Sequence, residues 1–257
     1  MLPDKLAQGH VTYTVKHGIG RVTFFHPSHN ALPSKLLGEL AATITQAGAD
    51  PQSRVLVLAS EGDRTFCAGA SFDELMAIET PEQGRAFFSG FAHVINAMRR
   101  SPKIIIGRVQ GKCIGGGVGL AAATDYCLAT PAAQIKLSEL AVGIGPFVVG
   151  PAVERKIGTP AFTELSLDAA QMRSAEWAQS KGLFVGLRED TETLDRAVDN
   201  FASTLADYNP EALTEMKRIF WRGTENWDTL LIERAGISGR LVLSNFTRKA
   251  ISAFKAK

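Results

Sequence analysis

Apolar and polar residues alternate through VTYTVKHGIGRVTFFH, residues 11–26, and the alternation breaks over residues 17–20. Alternation with a glycine-containing break predicts a β-hairpin. The period then lengthens: in PSKLLGELAATITQAGAD, residues 33–50, apolar positions recur at helical spacing, with Pro33 near the first turn. RVLVLAS (54–60) is a short β-branched apolar run, suited to a buried strand. EGDRTFCAGASFDELMAIE (61–79) reads as a loop carrying Gly62 and Gly69 that leads into a short helical pattern. A helix is predicted over PEQGRAFFSGFAHVINAMRR (81–100), with Pro81 at its start and Arg99 and Arg100 favourable at its end. KIIIGRVQG (103–111) predicts the next buried strand, glycines 115–117 follow it, and DYCLAT and AQIKL predict two further short strands. From Ser138 onwards the pattern is mostly helical, in PAVERKIG, PAFTELSLD, SAEWAQSKG, TETLDRAVDNFASTLADY, PEALTEMKRIFW and an amphipathic tail.

Strands and helices thus alternate in the first half, and helices dominate the last third. No repeat, low-complexity tract or Pro/Ser-rich linker separates them. The expected organisation is one α/β core over residues 1–195, followed by a helical region, 196–257, that packs on it or mediates assembly. The tail carries Trp227, Leu230, Leu231, Ile237, Leu241, Leu243 and Phe246, more apolar surface than a solvated tail would show.

Composition narrows the class. The chain has 257 residues, 45% hydrophobic and 21% charged, enough for one large α/β domain or two small ones. Lys+Arg 28 against Asp+Glu 26 gives a net charge of +2, too balanced for a nucleic-acid binder with clustered basic stretches. No apolar stretch approaches the ~20 residues of a membrane helix. The first residues, MLPDKLAQGHVTYTV, lack the charged, apolar and small-residue regions of a signal peptide. Three cysteines (Cys67, Cys113, Cys127), odd in number and never in a CxxC arrangement, argue for reduced core thiols and against zinc or a disulfide scaffold. A cytoplasmic protein with no metal, no nucleic acid and no membrane partner is expected.

Familiar catalytic motifs are missing. There is no G-x-S-x-G elbow and no GxxxxGK[ST], and Leu120 stands where a dinucleotide fingerprint needs its third glycine. Three short features remain. TFCAGAS (65–71) and GKCIGGGVGL (111–120) bring glycines to points where backbone can approach a ligand, although each alone is compatible with a simple turn. Two helix-start N–H groups converging on one carbonyl oxygen would form an oxyanion hole, each donor typically worth ~3–4 kcal/mol in acyl chemistry. Glu139, in IKLSELAVGIGPF, is a carboxylate among apolar residues. Such surroundings suit an acid/base with a raised pKa, and a helix-start charge near Ser138 is the plain alternative.

The order HPSHNAL, FCAGAS, GKCIGGGVGLAAATDYCLAT, KLSELAVGIGP resembles the crotonase family, the enoyl-CoA hydratase/isomerase superfamily, along essentially the whole chain. Residues 30–32, 66–69 and 115–117 carry its N-A-L turn, F-x-A-G loop and triple glycine. The resemblance implies an α/β crotonase (ClpP-like) spiral of ββα units with a C-terminal helical trimerisation region, forming a homotrimer or a hexamer as a dimer of trimers. It implies an acyl-CoA thioester as substrate and no cofactor, coenzyme A being part of the substrate. The amides of Ala70 and Gly116 fall where the family holds the thioester oxygen. Glu139 falls on the second of two glutamates in the family's hydratases, and Gly119 stands in place of the first. His26, Ser28, Cys67, Ala68, Gly69, Gly115 and Gly117 match segments that hold adenine, pantetheine and thioester. Lys249 matches a lysine that approaches CoA phosphate, and Phe246 and Phe254 match aromatics that close the acyl pocket, often from a neighbouring subunit.

Hydration of a 2-enoyl-CoA, its acyl group branched or carboxylated in cases such as methylglutaconyl-CoA, is the first expectation. Gly119 pulls toward Δ3,Δ2 isomerisation, which one carboxylate can perform. Phe147 stands where dehalogenase and hydroxyacyl-CoA hydrolase members have Asp, which places those chemistries low. The carboxylates of Asp73, Glu74 and Asp125 lie nearby in sequence, and solvated helix-start charge is the simpler reading of the first two. A rival class is a crotonase-fold protein that binds CoA esters or RNA without turnover.

Overall fold

A computed structural model of the chain describes residues 9–255, with side chains described through residue 253. The expected hairpin forms as β1 (His10–Lys16) and β2 (Ile19–Phe25), paired antiparallel. His17 and Gly18 both have positive φ, 51° and 75°, which suits a tight turn whose twist matches its strands. The remaining strands, in chain order, are β3 (Ala31–Leu32), β4 (Val55–Ser60), β5 (Thr65–Cys67), β6 (Gly69–Ala70), β7 (Ile105–Val109), β8 (Lys112–Ile114), β9 (Tyr126–Ala129), β10 (Ile135–Lys136) and β11 (Gly186–Leu187). The helices are α1 (Ser34–Ala49), α2 (Phe72–Met76), α3 (Pro81–Arg100), α4 (Gly116–Ala123), α5 (Gly150–Leu167), α6 (Ala175–Ser180), α7 (Thr191–Ala206), α8 (Pro210–Phe220), α9 (Trp227–Leu241) and α10 (Asn245–Lys255).

One sheet runs β1-β2-β4-β7-β9-β11, parallel from β2 onward. A second, three-stranded sheet runs β10-β8-β5, and β3 pairs with β6. After β4, β7 and β9 the chain steps into the second sheet through β5, β8 and β10, then returns through helix, so each turn of the spiral is a ββα unit. This is the crotonase spiral expected from the sequence. Strand β4 is buried along its whole length, and its alternate residues feed two cores. Leu56 and Leu58 face the inner core, while Val55 and Val57 meet Leu194, Val198 and Leu205 of α7. Burial on both faces is why RVLVLAS shows no alternation.

Helix α3 spans the predicted residues because its ends are encoded. Thr80 and Gln83 form a capping box, Pro81 opens the helix, and Arg99 and Arg100 lie in its last turn. Helix α5 breaks where PAVERKIG and PAFTELSLD divide, at Gly158 with φ 75° and with Pro160 beyond it. Strands β3, β6 and β11 have two residues each, too short to carry a period, and the sequence did not predict them.

The boundary expected at 195/196 falls inside α7, whose apolar face packs on the large sheet. Beyond α7, Lys217 of α8 is 2% exposed and pairs with Asp125 at 2.9 Å. Asp125 also accepts the indole N–H of Trp221 and the amide of Ile105, both at 2.7 Å. The helical region is thus bolted to the end of α4. Helices α3 and α9 cross at glycines: a Cβ on Gly84 would lie 2.6 Å from the Gly239 Cα, and one on Gly239 would lie 2.4 Å from the Arg85 nitrogen.

Candidate active site

Three segments meet around one cavity of about 220 Å³: the β5–β6 loop, the start of α4 and the turn beginning at Glu139. Asn30, at φ 56°, fastens the first of them. Its side-chain oxygen accepts the His26 N–H at 2.8 Å, and its amide donates to the carbonyls of Glu61 and Thr65, both at 2.9 Å. The N-A-L turn therefore holds the strand that delivers Ala68, Gly69 and Ala70. Gly69 has φ 92°, and a Cβ there would sit 3.0 Å from the Ile114 carbonyl and 3.5 Å from the Gly116 nitrogen. The two glycine loops touch at that point, which brings the Ala70 and Gly116 segments to the same wall.

The triple glycine is required residue by residue. Gly115 has φ 52°, donates to the Lys136 carbonyl at 2.8 Å, and leaves room for the Glu139 carboxylate, which lies 3.0 Å from where its Cβ would be. At Gly116 a Cβ would overlap the Phe91 ring at 2.2 Å, and at Gly117 the Cys67 carbonyl at 2.4 Å. Gly116 is the first residue of α4, so its N–H has no acceptor within its own helix and can point at a ligand with the helix dipole behind it.

Glu139 lines the cavity with its Oε2 buried and without a hydrogen-bond partner among the described residues. Burial pushes its carboxyl up to about 7. Its backbone carbonyl accepts the amides of Val142 and Ile144, which fixes the turn that carries it. Around it the walls are apolar, with Phe72, Phe88, Phe91 and Phe147 among them. A Cβ on Gly119 would lie 2.5 Å from Cγ1 and 2.6 Å from Cβ of Val149. A valine side chain therefore fills the place a second glutamate would need.

The candidate residues separate into groups. Ala68, Gly69, Ala70, Gly115, Gly116 and Glu139 line the cavity together. Cys67 and Gly117 pack against each other just outside the lining. His26 and Ser28 sit on the Asn30-fastened turn, away from the cavity lining, and burial lowers the His26 pKa. Phe246, 67% exposed, and Lys249, also exposed, are on the outer side of α10, and Ala250 lines the cavity from that helix among the described residues. The Phe254 side chain lies outside the described residues. Glu74 is committed elsewhere: its carboxylate accepts the Ser34 N–H at 2.8 Å and the Ser34 hydroxyl at 2.7 Å. Burial pushes the thiols of Cys67 and Cys127 up to about 12, so they are inert core groups at neutral pH. Phe91, Val149 and Ser238 were missed, because apolar helix positions and a lone serine carry no motif.

A spiral of ββα units with a buried carboxylate facing two glycine loops defines a crotonase-type protein. The family model for enoyl-CoA hydratase/isomerase matches residues 14–252, and the chain belongs to that family. It is 26% identical over 250 residues to the "Probable enoyl-CoA hydratase" of Bacillus subtilis, covering 96% of each chain. It is 28% identical over 201 residues to the carnitinyl-CoA dehydratase of Escherichia coli K12, covering 77% of this chain and 75% of that one. An enoyl-CoA hydratase structure from Mycobacterium avium superposes with a TM-score of 0.83 at 28% identity, over 96% of both chains.

Proposed function

We propose that the chain hydrates a 2-enoyl-CoA, with Glu139 as its single acid/base and the Ala70 and Gly116 amides holding the thioester oxygen. The observation that carries this is the buried Glu139 carboxylate, whose Oε2 has no hydrogen-bond partner among the described residues and whose pKa of about 7 leaves both protonation states populated at neutral pH. As water oxygen bonds to C3, its proton passes to the carboxylate and the C2–C3 electron pair moves onto the thioester oxygen. The two amides stabilise that enolate. Glu139 then returns the proton to C2, and the net change is one water added. The relatives named as hydratase and dehydratase support water chemistry.

A second reading is transfer of a proton between C4 and C2, which moves a double bond. The Val149 contact over Gly119 favours it, since no second carboxylate shares the handling of water.

Purified protein offered 2-enoyl-CoA should yield the 3-hydroxyacyl-CoA; a shifted double bond as sole product selects the second reading, and inactivity on 2- and 3-enoyl-CoAs alike overturns both. Glu139→Gln should lower kcat by about 10²–10⁴-fold, the usual contribution of a positioned acid/base.

A further inference from the structure

Among the described residues lining the cavity, four carry polar side chains: Lys136, Ser138, Glu139 and Ser238. The first three adjoin the catalytic turn, and the Lys136 ammonium is held outward by the Ala170 carbonyl at 2.9 Å. Ser238 comes from α9, on the opposite wall, and is 1% exposed. A helical serine commonly bonds back to the carbonyl four residues earlier, as Ser89 does to Arg85 at 2.7 Å. The Ser238 hydroxyl makes no hydrogen bond among the described residues. A polar group left unpaired in an apolar wall costs free energy until a partner arrives.

Its depth in the cavity follows from α3. The Phe91 ring covers Gly116 at the thioester end, and Gly84 meets Gly239, the neighbour of Ser238. Gly84 and Phe91 are seven residues apart on one helix, which is about 10 Å of rise. An extended chain advances about 1.2 Å per bond, so roughly eight bonds reach that wall. Leu75, Phe88 and Ala250 line the cavity without charge, and among the described residues no lining cation faces Ser238. A distal carboxylate would lie there without a counter-charge, whereas a neutral oxygen needs only the one hydroxyl.

We propose that Ser238 is a specificity-determining residue that hydrogen-bonds a neutral oxygen near the far end of the acyl chain. The substrate class is then a medium-length acyl-CoA with a distal hydroxyl or keto group. This rests on the acyl-CoA reading above and departs from the carboxylated substrates that the sequence left open.

Calorimetric titration with two non-reacting ligands, octanoyl-CoA and 8-hydroxyoctanoyl-CoA, separates this from the catalytic reading. Wild type should bind the hydroxylated ligand about tenfold more tightly, and Ser238→Ala should bring that ratio close to one. Equal affinities in wild type, or a preference unchanged by Ser238→Ala, overturn the proposal, as does failure to bind either ligand. Turnover of 2-octenoyl-CoA, measured alongside, reports on the hydratase reading alone: activity with equal affinities leaves that reading standing and this one refuted.

Discussion

Glu139 is held where burial works against its ionisation. Its Oε2 is buried without a partner among the described residues, and the carboxyl is pushed up to about 7. In the unfolded chain it titrates near 4.5, so between that value and 7 the folded state holds a proton that the unfolded state has lost. Stability from this group is fully present below pH 4.5 and disappears as pH rises through 7, by roughly 3 kcal/mol at most. Glu139→Gln, which cannot ionise, should therefore raise the melting temperature at pH 8 while leaving it little changed at pH 4.5. Equal shifts at the two pH values would mean the carboxylate is not buried at a cost. The glycines, Ala70 and Glu139 were legible because each sits in a short motif. Val149 and Ser238 were not, since their importance comes from what stands across the cavity.

Helix α4 is read in its sequence as glycines followed by alanines, and its packing explains why little else is tolerated. Val149 lies over Gly119 with no room for a Cβ. Gly119→Glu should destabilise the protein by about 1–3 kcal/mol in denaturant unfolding, the usual cost of overpacking a filled core. Adding Val149→Ala should recover part of that loss, and additivity of the two changes would refute the contact. Among the elements, α3 was legible to its ends because Thr80, Pro81, Arg99 and Arg100 mark them. Strands β3 and β6, which deliver Ala70, are set by parallel pairing with each other and by the Asn30 side chain, neither of which leaves a local period.

Across the whole molecule, the helical region and the spiral are one unit joined at Asp125. Lys217 also donates to the Lys103 carbonyl at 2.8 Å, and Arg155 stacks over Trp221 at 4.2 Å. Lys217→Ala would strand a buried carboxylate, and should cost about 3–5 kcal/mol. Replacing Lys217 and Asp125 together by Met and Asn should cost less than Lys217→Ala alone. Calorimetry on the variants checks both, and a single cooperative transition in each is expected. The sequence had located the helices here but placed a boundary within α7, because an amphipathic helix reads alike whether its apolar face meets a sheet or a neighbour.

The cavity takes its lining from Ala68 to Ala250. On a chain synthesised at about 5–20 residues per second, Glu139 emerges roughly ten seconds before Ala250. Because spiral and helical region form one cooperative unit, the glycine-loop wall and the wall from α9 and α10 should close together, only once the last helices have been made.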